Sequence, residues 1–221
     1  MTVWFATGNL HKKAELAAIL SDNGCEYDVL IPSDAGLDFN PDETESTFCG
    51  NAILKARELH SLLKNSGGLF KTGDLIIADD SGICVDALGG RPGIFSARYT
   101  GKGDQGGADY REKKLSAAER NTLLLEELGD NPLRTARFTC AMIVLHNHDR
   151  FFIAQETCEG ELVKSIEQAR GAGGFGYDPI LFIPEYGKTV AELPDNIKNK
   201  ISHRGKAGKI IANAIKTGSC A

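Results

Sequence analysis

The 221-residue chain lacks what a membrane, zinc-binding or duplex-binding protein needs. No window approaches the uncharged apolar run of about 20 residues that a membrane helix requires. The first residues, MTVWFATGN, carry no basic segment and no apolar signal run, so the expected location is cytoplasmic. The cysteines, Cys25, Cys49, Cys84, Cys140, Cys158 and Cys220, form no CxxC pair and no zinc-type spacing. They read as reduced thiols, and Cys84 and Cys140 sit in apolar runs as core residues. With a formal net charge of −5 nothing suggests a duplex-binding surface, so a polyanionic ligand would need local cations or a metal. There is no internal repeat, no low-complexity tract and no Walker pattern. What is present is ordinary for a globular protein: 42% hydrophobic and 25% charged residues, enough for a sizeable core in a single domain spanning 1–221.

The chain opens as strand, glycine turn, helix. Thr2–Ala6 is apolar, Thr7-Gly8-Asn9 breaks the run, and Leu16, Ile19 and Leu20 recur at helical spacing up to Gly24. A turn feeding a helix N-terminus is an anion site. Lys12 and Lys13 lie in that first turn, against the helix dipole, which suits either a phosphate nearby or two solvated lysines. A strand is expected at 27–31, an acidic, turn-rich segment at 32–45 and a helix at 47–63, with Asn51, Lys55 and Glu58 on its polar face.

An apolar strand then ends on Asp79 and Asp80, followed by Ser81-Gly82. Carboxylates at a strand's end sit where open α/β sheets bind ligands. The pair suits a hard divalent cation or general-base work, and equally a capped turn with Asp80 or Ser81 as N-cap of a following helix. The adjacent spacing does not fit the Asp-x-Asp of haloacid-dehalogenase-type phosphatases. Next come a turn at 89–93, a Gly-rich loop at 101–109, a helix at 110–128 and a β-hairpin of 137–145 with 150–155. The histidines His146 and His148 at the hairpin tip are read as solvated. A further strand is expected within 157–166, then the glycine-aromatic stretch 171–179, where Phe175 and Tyr177 suit base stacking and Asp178 suits a base or ribose edge. A strand at 180–183 follows, and then the cationic cluster Lys198, Lys200, His203, Arg204 and Lys206, leading into a last helix with a frayed end at 218–221. Helices alternate with strands early and antiparallel pairs fill the middle. This pattern predicts an α/β fold with a mixed sheet flanked by helices, in two lobes with a central cleft.

An anion turn, a carboxylate pair, a glycine-aromatic loop and a Lys/His/Arg cluster together ask for one ligand, a metal-bound nucleoside triphosphate. Five stretches carry a more specific signal: ATGNLHKKAEL from Ala6, NAILKA at 51–56, ADDSGICVDALGGRPGIFSARYTG at 78–101, GGFGYDPILF at 173–182 and ISHRGKA at 201–207. In this order they resemble the inosine/xanthosine triphosphate pyrophosphatases, a family acting on non-standard purine nucleotides. The likeness covers nearly the whole chain.

The resemblance implies an elongated mixed sheet between two lobes, a homodimer, and Mg²⁺-dependent hydrolysis of ITP, dITP and XTP to the monophosphate and pyrophosphate. It implies that Thr7, Gly8, Asn9, Leu10, His11 and Lys12 bind the triphosphate, with Lys55 close to it. Asp80 would be the general base and a metal ligand, supported by Asp79, with Asp42 or Glu43 as the second metal carboxylate. Ser81 would contact the nucleotide. Phe175, Gly176, Tyr177 and Asp178 would hold base and sugar, and Lys198, His203 and Arg204 would complete the pocket. One position departs from the family pattern: Gly50 stands where members usually have Glu, leaving Asp42, Glu43 or Glu45 to stand in. Two other functions fit this reading: a housecleaning pyrophosphatase for other modified nucleotides, and a low-turnover nucleotide sensor, which the missing carboxylate favours.

Overall fold

The computed structural model describes residues 1–101, 115–147, 150–171 and 176–218. The loop expected at 102–109, the first turn of the helix expected from 110, the hairpin tip His148-Asp149, Phe175 and the tail from 219 lie outside the described residues.

Seven strands form one sheet in the order β2-β1-β3-β4-β5-β6-β7. The strands are β1 (Thr2–Phe5), β2 (Asp28–Leu30), β3 (Leu75–Val85), β4 (Thr135–Leu145), β5 (Phe151–Leu162), β6 (Leu181–Ile183) and β7 (Lys188–Thr189). The helices are α1 (Leu10–Asp22), α2 (Phe48–Asn65), α3 (Ala117–Leu128), α4 (Asp195–Ile201) and α5 (His203–Lys216). β1 pairs in parallel with β2 and β3, and β6 pairs antiparallel with β5 and β7, so the sheet is mixed. Parallel neighbours need crossover connections, and α1 and α2 lie in them. β4 and β5 are adjacent and joined by five residues, too short a link for a parallel pair, so they form the expected hairpin.

The chain divides into two compact units, one of Met1–Asp80, Cys140–Glu156 and Ile201–Ala221, the other of Ser81–Thr139 and Thr157–Lys200. In the first unit, strand alternation sorts the core onto two faces of the sheet. Val3, Phe5 and Ile77 pack with Leu16 and Leu20 of α1 and Ala207 and Ile211 of α5. Trp4, Ala6, Ile76 and Ala78 pack with Ala52, Ala56, Leu59 and Leu63 of α2. α1 and α5 therefore cover one face and α2 the other. The two former helices meet closely: a Cβ on Gly208 would lie 2.7 Å from Cγ2 of Ile19.

In the second unit, Tyr99 is fully buried and its hydroxyl donates to Glu127, which also takes Arg91. Asp86 accepts from Thr135 at 2.5 Å and from Arg137 at 2.7 Å.

Several boundaries differ from expectation. β3 does not end at the carboxylates. It runs on through Ser81 and Gly82 to Val85, so no turn and no helix N-cap lies there. The strand at 157–166 is the second half of β5. α3 begins only at Ala117, because Ser116 and Glu119 exchange reciprocal capping bonds of 3.2 and 2.7 Å that fix the helix start. The cationic cluster is split between α4 and α5, since the Ser202 hydroxyl caps α5 by accepting from Gly205 N at 3.0 Å. No helix among the described residues is long and apolar enough to cross a membrane.

Candidate active site

The turn after β1 opens beside β3, because Ala6 N donates to Ile77 O at 2.8 Å. Asn9 caps α1: its Oδ1 accepts from the backbone of His11 at 2.9 Å and Lys12 at 3.3 Å, while its own N–H donates to Thr7 Oγ1 at 3.1 Å. Leu10 and His11 are exposed at the helix start. Gly8 has ordinary negative φ, and a Cβ there would meet no protein atom within 4 Å, so the fold itself does not require glycine. The two lysines of this turn are met by protein carboxylates. Lys13 pairs with Asp34 at 2.6 Å, and Lys12 Nζ reaches both Asp79 oxygens at 3.0 Å. Their position against the dipole is thus answered within the chain.

Because β3 is extended through both acids, Asp79 and Asp80 point to opposite faces. Asp79 follows Ile77 onto the face of α1 and α5. There Arg204, 125 residues away in sequence, donates to its Oδ2 through Nε at 3.3 Å and Nη2 at 3.1 Å. Glu15, one turn beyond Lys12 on α1, accepts from Arg204 Nη1 at 2.5 Å. The Cys140 thiol lies 4.0 Å from the same Asp79 oxygen. Burial and the neighbouring Asp79 push that thiol up to about 12, so it stays a neutral donor. Burial alone would raise the Asp79 carboxyl, but Lys12, Arg204 and Lys55 outweigh it and hold it well below the usual range.

Asp80 lies on the face of α2. Lys55 Nζ donates to its Oδ1 at 3.0 Å and to Glu43 Oε1 at 2.7 Å, so one ammonium joins both carboxylates. Asn51, one turn before Lys55, donates to Asp80 Oδ2 at 3.3 Å and accepts from Glu45 N at 3.0 Å, fastening the acidic segment to the helix. Of the two candidate metal carboxylates, Glu43 shares Lys55 with Asp80, and Asp42 is exposed. Burial raises the Asp80 carboxyl; Lys55 opposes this and Glu43 adds to it, leaving it above its ordinary value. Burial lowers Lys55, but Asp80, Glu43 and Asp79 hold it above its ordinary value, so it stays charged. Adjacent carboxylates are thus driven apart, one locked as an anion and the other poised to take a proton, the pattern that separates acid–base roles in enzyme sites. Among the described residues no group of three or more His, Cys, Asp and Glu could hold a metal.

Gly50 lies in the first turn of α2, against this segment. A Cβ there would lie 2.7 Å from Glu45 Cβ, so Glu45 already fills the space a side chain would take.

In the second unit, Ser81 is half-buried on the strand immediately after the acids. Tyr177 is turned inward, 4% exposed, with its hydroxyl donating to Ser96 O at 2.8 Å. Burial pushes that hydroxyl up. Asp178 accepts from Lys198 Nζ at 2.9 Å, and its backbone carbonyl accepts from Ala191 N at 3.2 Å. His203, half-buried, opens α5 in the first unit beside Arg204.

The structure therefore gathers Asn9, Lys12, Lys55, Asp79, Asp80, Glu43 and Arg204 within the first unit, and Gly176, Tyr177, Asp178 and Lys198 within the second. Sequence reasoning gave no site role to Glu15, Asn51 or Cys140. Glu15 follows Lys12, and Asn51 precedes Lys55, at helical spacings that put each pair on one face. Cys140 gave no signal, since it sits in an unbroken apolar run.

The chain matches the Ham1 family over residues 3–214. It is 41% identical to a Treponema denticola protein named dITP/XTP pyrophosphatase, covering 98% of this chain and 99% of that one. The Escherichia coli K12 protein of the same name is 42% identical, covering 98% of each chain. The structure of a HAM1 protein from Coxiella burnetii superposes with a TM-score of 0.77 at 33% identity, covering 98% of this chain and 99% of that one. With similarity running end to end in both sequence and fold, the chain belongs to the Ham1 family.

Proposed function

We propose that this protein hydrolyses dITP, XTP and ITP to the nucleoside monophosphate and pyrophosphate. The observation that carries this reading is the divergence of Asp79 and Asp80: one clamped by Lys12 and Arg204, the other raised beside Lys55 and Glu43. The names of the relatives supply the nucleotide class.

Asp80 and Glu43 would hold the metal, which we assign as Mg²⁺. Both carboxylates reach one ammonium, at 3.0 and 2.7 Å, so the site is already shaped for a cation between them. Mg²⁺ typically takes one or two carboxylates and completes its shell with phosphates and water, so a larger protein cluster is not required. When bound, it supplies charge neutralisation on the phosphates and lowers the pKa of its water. Asp80 accepts the proton of the attacking water. The bond from the α phosphorus to the α–β bridging oxygen breaks, the water oxygen takes its place on the monophosphate, and pyrophosphate leaves with the bridging oxygen. Lys12, Lys55 and Arg204 stabilise the charge that develops on the leaving group.

Thr7 to Lys12 are assigned to the phosphates. The open space over Gly8 supports this, since the turn has room for a ligand to approach its backbone. Ser81, Phe175, Gly176, Tyr177, Asp178, Lys198 and His203 are assigned to nucleoside binding, with Tyr177 acting through its backbone. A 6-oxo purine accepts at O6 where adenine carries an amine, so donors aimed at O6 would discriminate the two. The sensor reading loses support at Gly50. The acidic segment rests over that glycine and delivers Glu43 to Lys55. We also assign a homodimer, checked by sedimentation, and the cytoplasm, where the nucleotide pool lies.

The test is pyrophosphate release from dITP, XTP, ITP, dATP and dGTP, with and without Mg²⁺, by wild type and Asp80→Asn. Release from the first three only, lost in the variant, is expected. Wild-type rates in Asp80→Asn would remove Asp80 from its role.

A further inference from the structure

Asn121 lies on α3 and is only 4% exposed. Its Nδ2 donates to Gly176 O at 3.2 Å. A carbonyl can only accept, so the amide nitrogen is fixed on that side and Oδ1 on the other. That oxygen is buried without a hydrogen-bond partner among the described residues. A buried acceptor left unpaired is a cost that an apolar side chain of the same size would avoid. Gly176 is half-buried, so its carbonyl could turn to solvent if Asn121 were absent. The fold alone therefore gives no reason for Asn here.

The residues that Asn121 steadies give one. Gly176 has φ of +67°, open to glycine and few other residues, so its backbone has wide freedom unless held. The next two residues are fastened independently. The Tyr177 hydroxyl is bonded to Ser96 O and to Arg120, the neighbour of Asn121, while Asp178 is held by Lys198 and Ala191. Asn121 holds the glycine that precedes them.

We infer that Asn121 is a positioning residue for nucleotide binding. It fixes the Gly176 carbonyl, and with it the course of Gly176–Asp178, at a cost to the stability of the fold. The inference rests on the nucleoside-binding role assigned to that segment above.

Two variants test it. Asn121→Leu keeps the size and removes both polar groups; Asn121→Asp keeps the shape and replaces the donor with an acceptor facing a carbonyl. Expected in both is a rise in KM for dITP and XTP of about tenfold, the loss of one buried hydrogen bond, with kcat within about twofold. Inhibition by added pyrophosphate is unmoved, because the phosphates are assigned to Thr7–Lys12. Asn121→Leu also keeps or raises the melting temperature. A purely structural residue would show the reverse: lowered melting in both variants, with kcat and KM degraded together. That result, or an unchanged KM in a folded variant, overturns the inference. Wild-type protein releasing no pyrophosphate from dITP or XTP would instead overturn the functional reading, and this inference with it.

Discussion

Two consecutive aspartates in one strand hold opposite charges of responsibility. Asp79 is fully inside and is surrounded by cations; Asp80 is inside and shares one cation with Glu43. Removing Asp79 takes from the buried or half-buried Lys12 and Arg204 the carboxylate they share. Breaking a buried pair from one side costs about 3–5 kcal/mol, and Asp79→Asn is expected to lose that much in urea unfolding at pH 7. The pH dependence follows from the direction of the shift. With its folded pKa depressed, Asp79 contributes stability that is complete above the unfolded value of about 4 and is lost as pH falls through the lower folded value. The penalty of Asp79→Asn should therefore shrink as unfolding is measured at successively lower pH below about 4. Asp80 has the opposite sign. Its raised pKa means that ionising it costs the fold as pH rises past the ordinary value, so Asp80→Asn should melt no lower than wild type at pH 7. If both variants lose stability equally, the two carboxylates do not have the separate environments described.

Among the elements, α1 and α5 place the cations on Asp79, and their spacing depends on Gly208 meeting Ile19. Gly208→Ala would gain about 1 kcal/mol of helix propensity. It would also force a Cβ to 2.7 Å from a branched methyl close to its backbone, and overpacking of this kind costs about 1–3 kcal/mol. The second effect should win, giving a net loss of about 1 kcal/mol in urea unfolding and a slower pyrophosphate release as Arg204 is moved. A more stable Gly208→Ala protein would show that the helices have slack. The same elements mark what sequence could and could not give. The first strand, its turn and α1 were legible, because periodicity and a capping Asn are local signals. The end of β3 was misread for a local reason too: two acids followed by Ser-Gly look like a turn. Buried carboxylates in mid-strand are tolerable only when distant helices bring cations to both faces. Nothing near Asp79 in the sequence announces Arg204, and nothing in the acidic stretch 42–45 says that Glu43 rather than Asp42 meets Lys55. Motif order located the site; which cation answers which carboxylate was set by packing.

For the molecule as a whole, the balance of charge decides what it can bind. The chain is acidic, at −5, and two members of its cationic cluster are already paired, Lys198 with Asp178 and Arg204 with Asp79 and Glu15. In the first unit Lys12, Lys55 and Arg204 face Asp79, Asp80, Glu43 and Glu15, so three cations stand against four carboxylates. Such a site repels a triphosphate rather than attracting it, whatever the local density of Lys and Arg suggests. Two further positive charges between Asp80 and Glu43 would reverse the sign and free Lys55 to turn toward phosphate. Binding of nucleotide and of divalent cation should then be coupled, each raising the affinity of the other by the same factor. In calorimetry on wild type with Ca²⁺ in place of Mg²⁺, ITP should bind at least tenfold more weakly in EDTA than with the cation, a coupling at the lower end of ordinary linkage. Raising salt in EDTA should recover part of that loss, since screening weakens the repulsion. ITP bound equally tightly in EDTA would mean that the cations of this site are free for phosphate after all, and that their pairing with Asp79 and Asp80 yields as the nucleotide arrives.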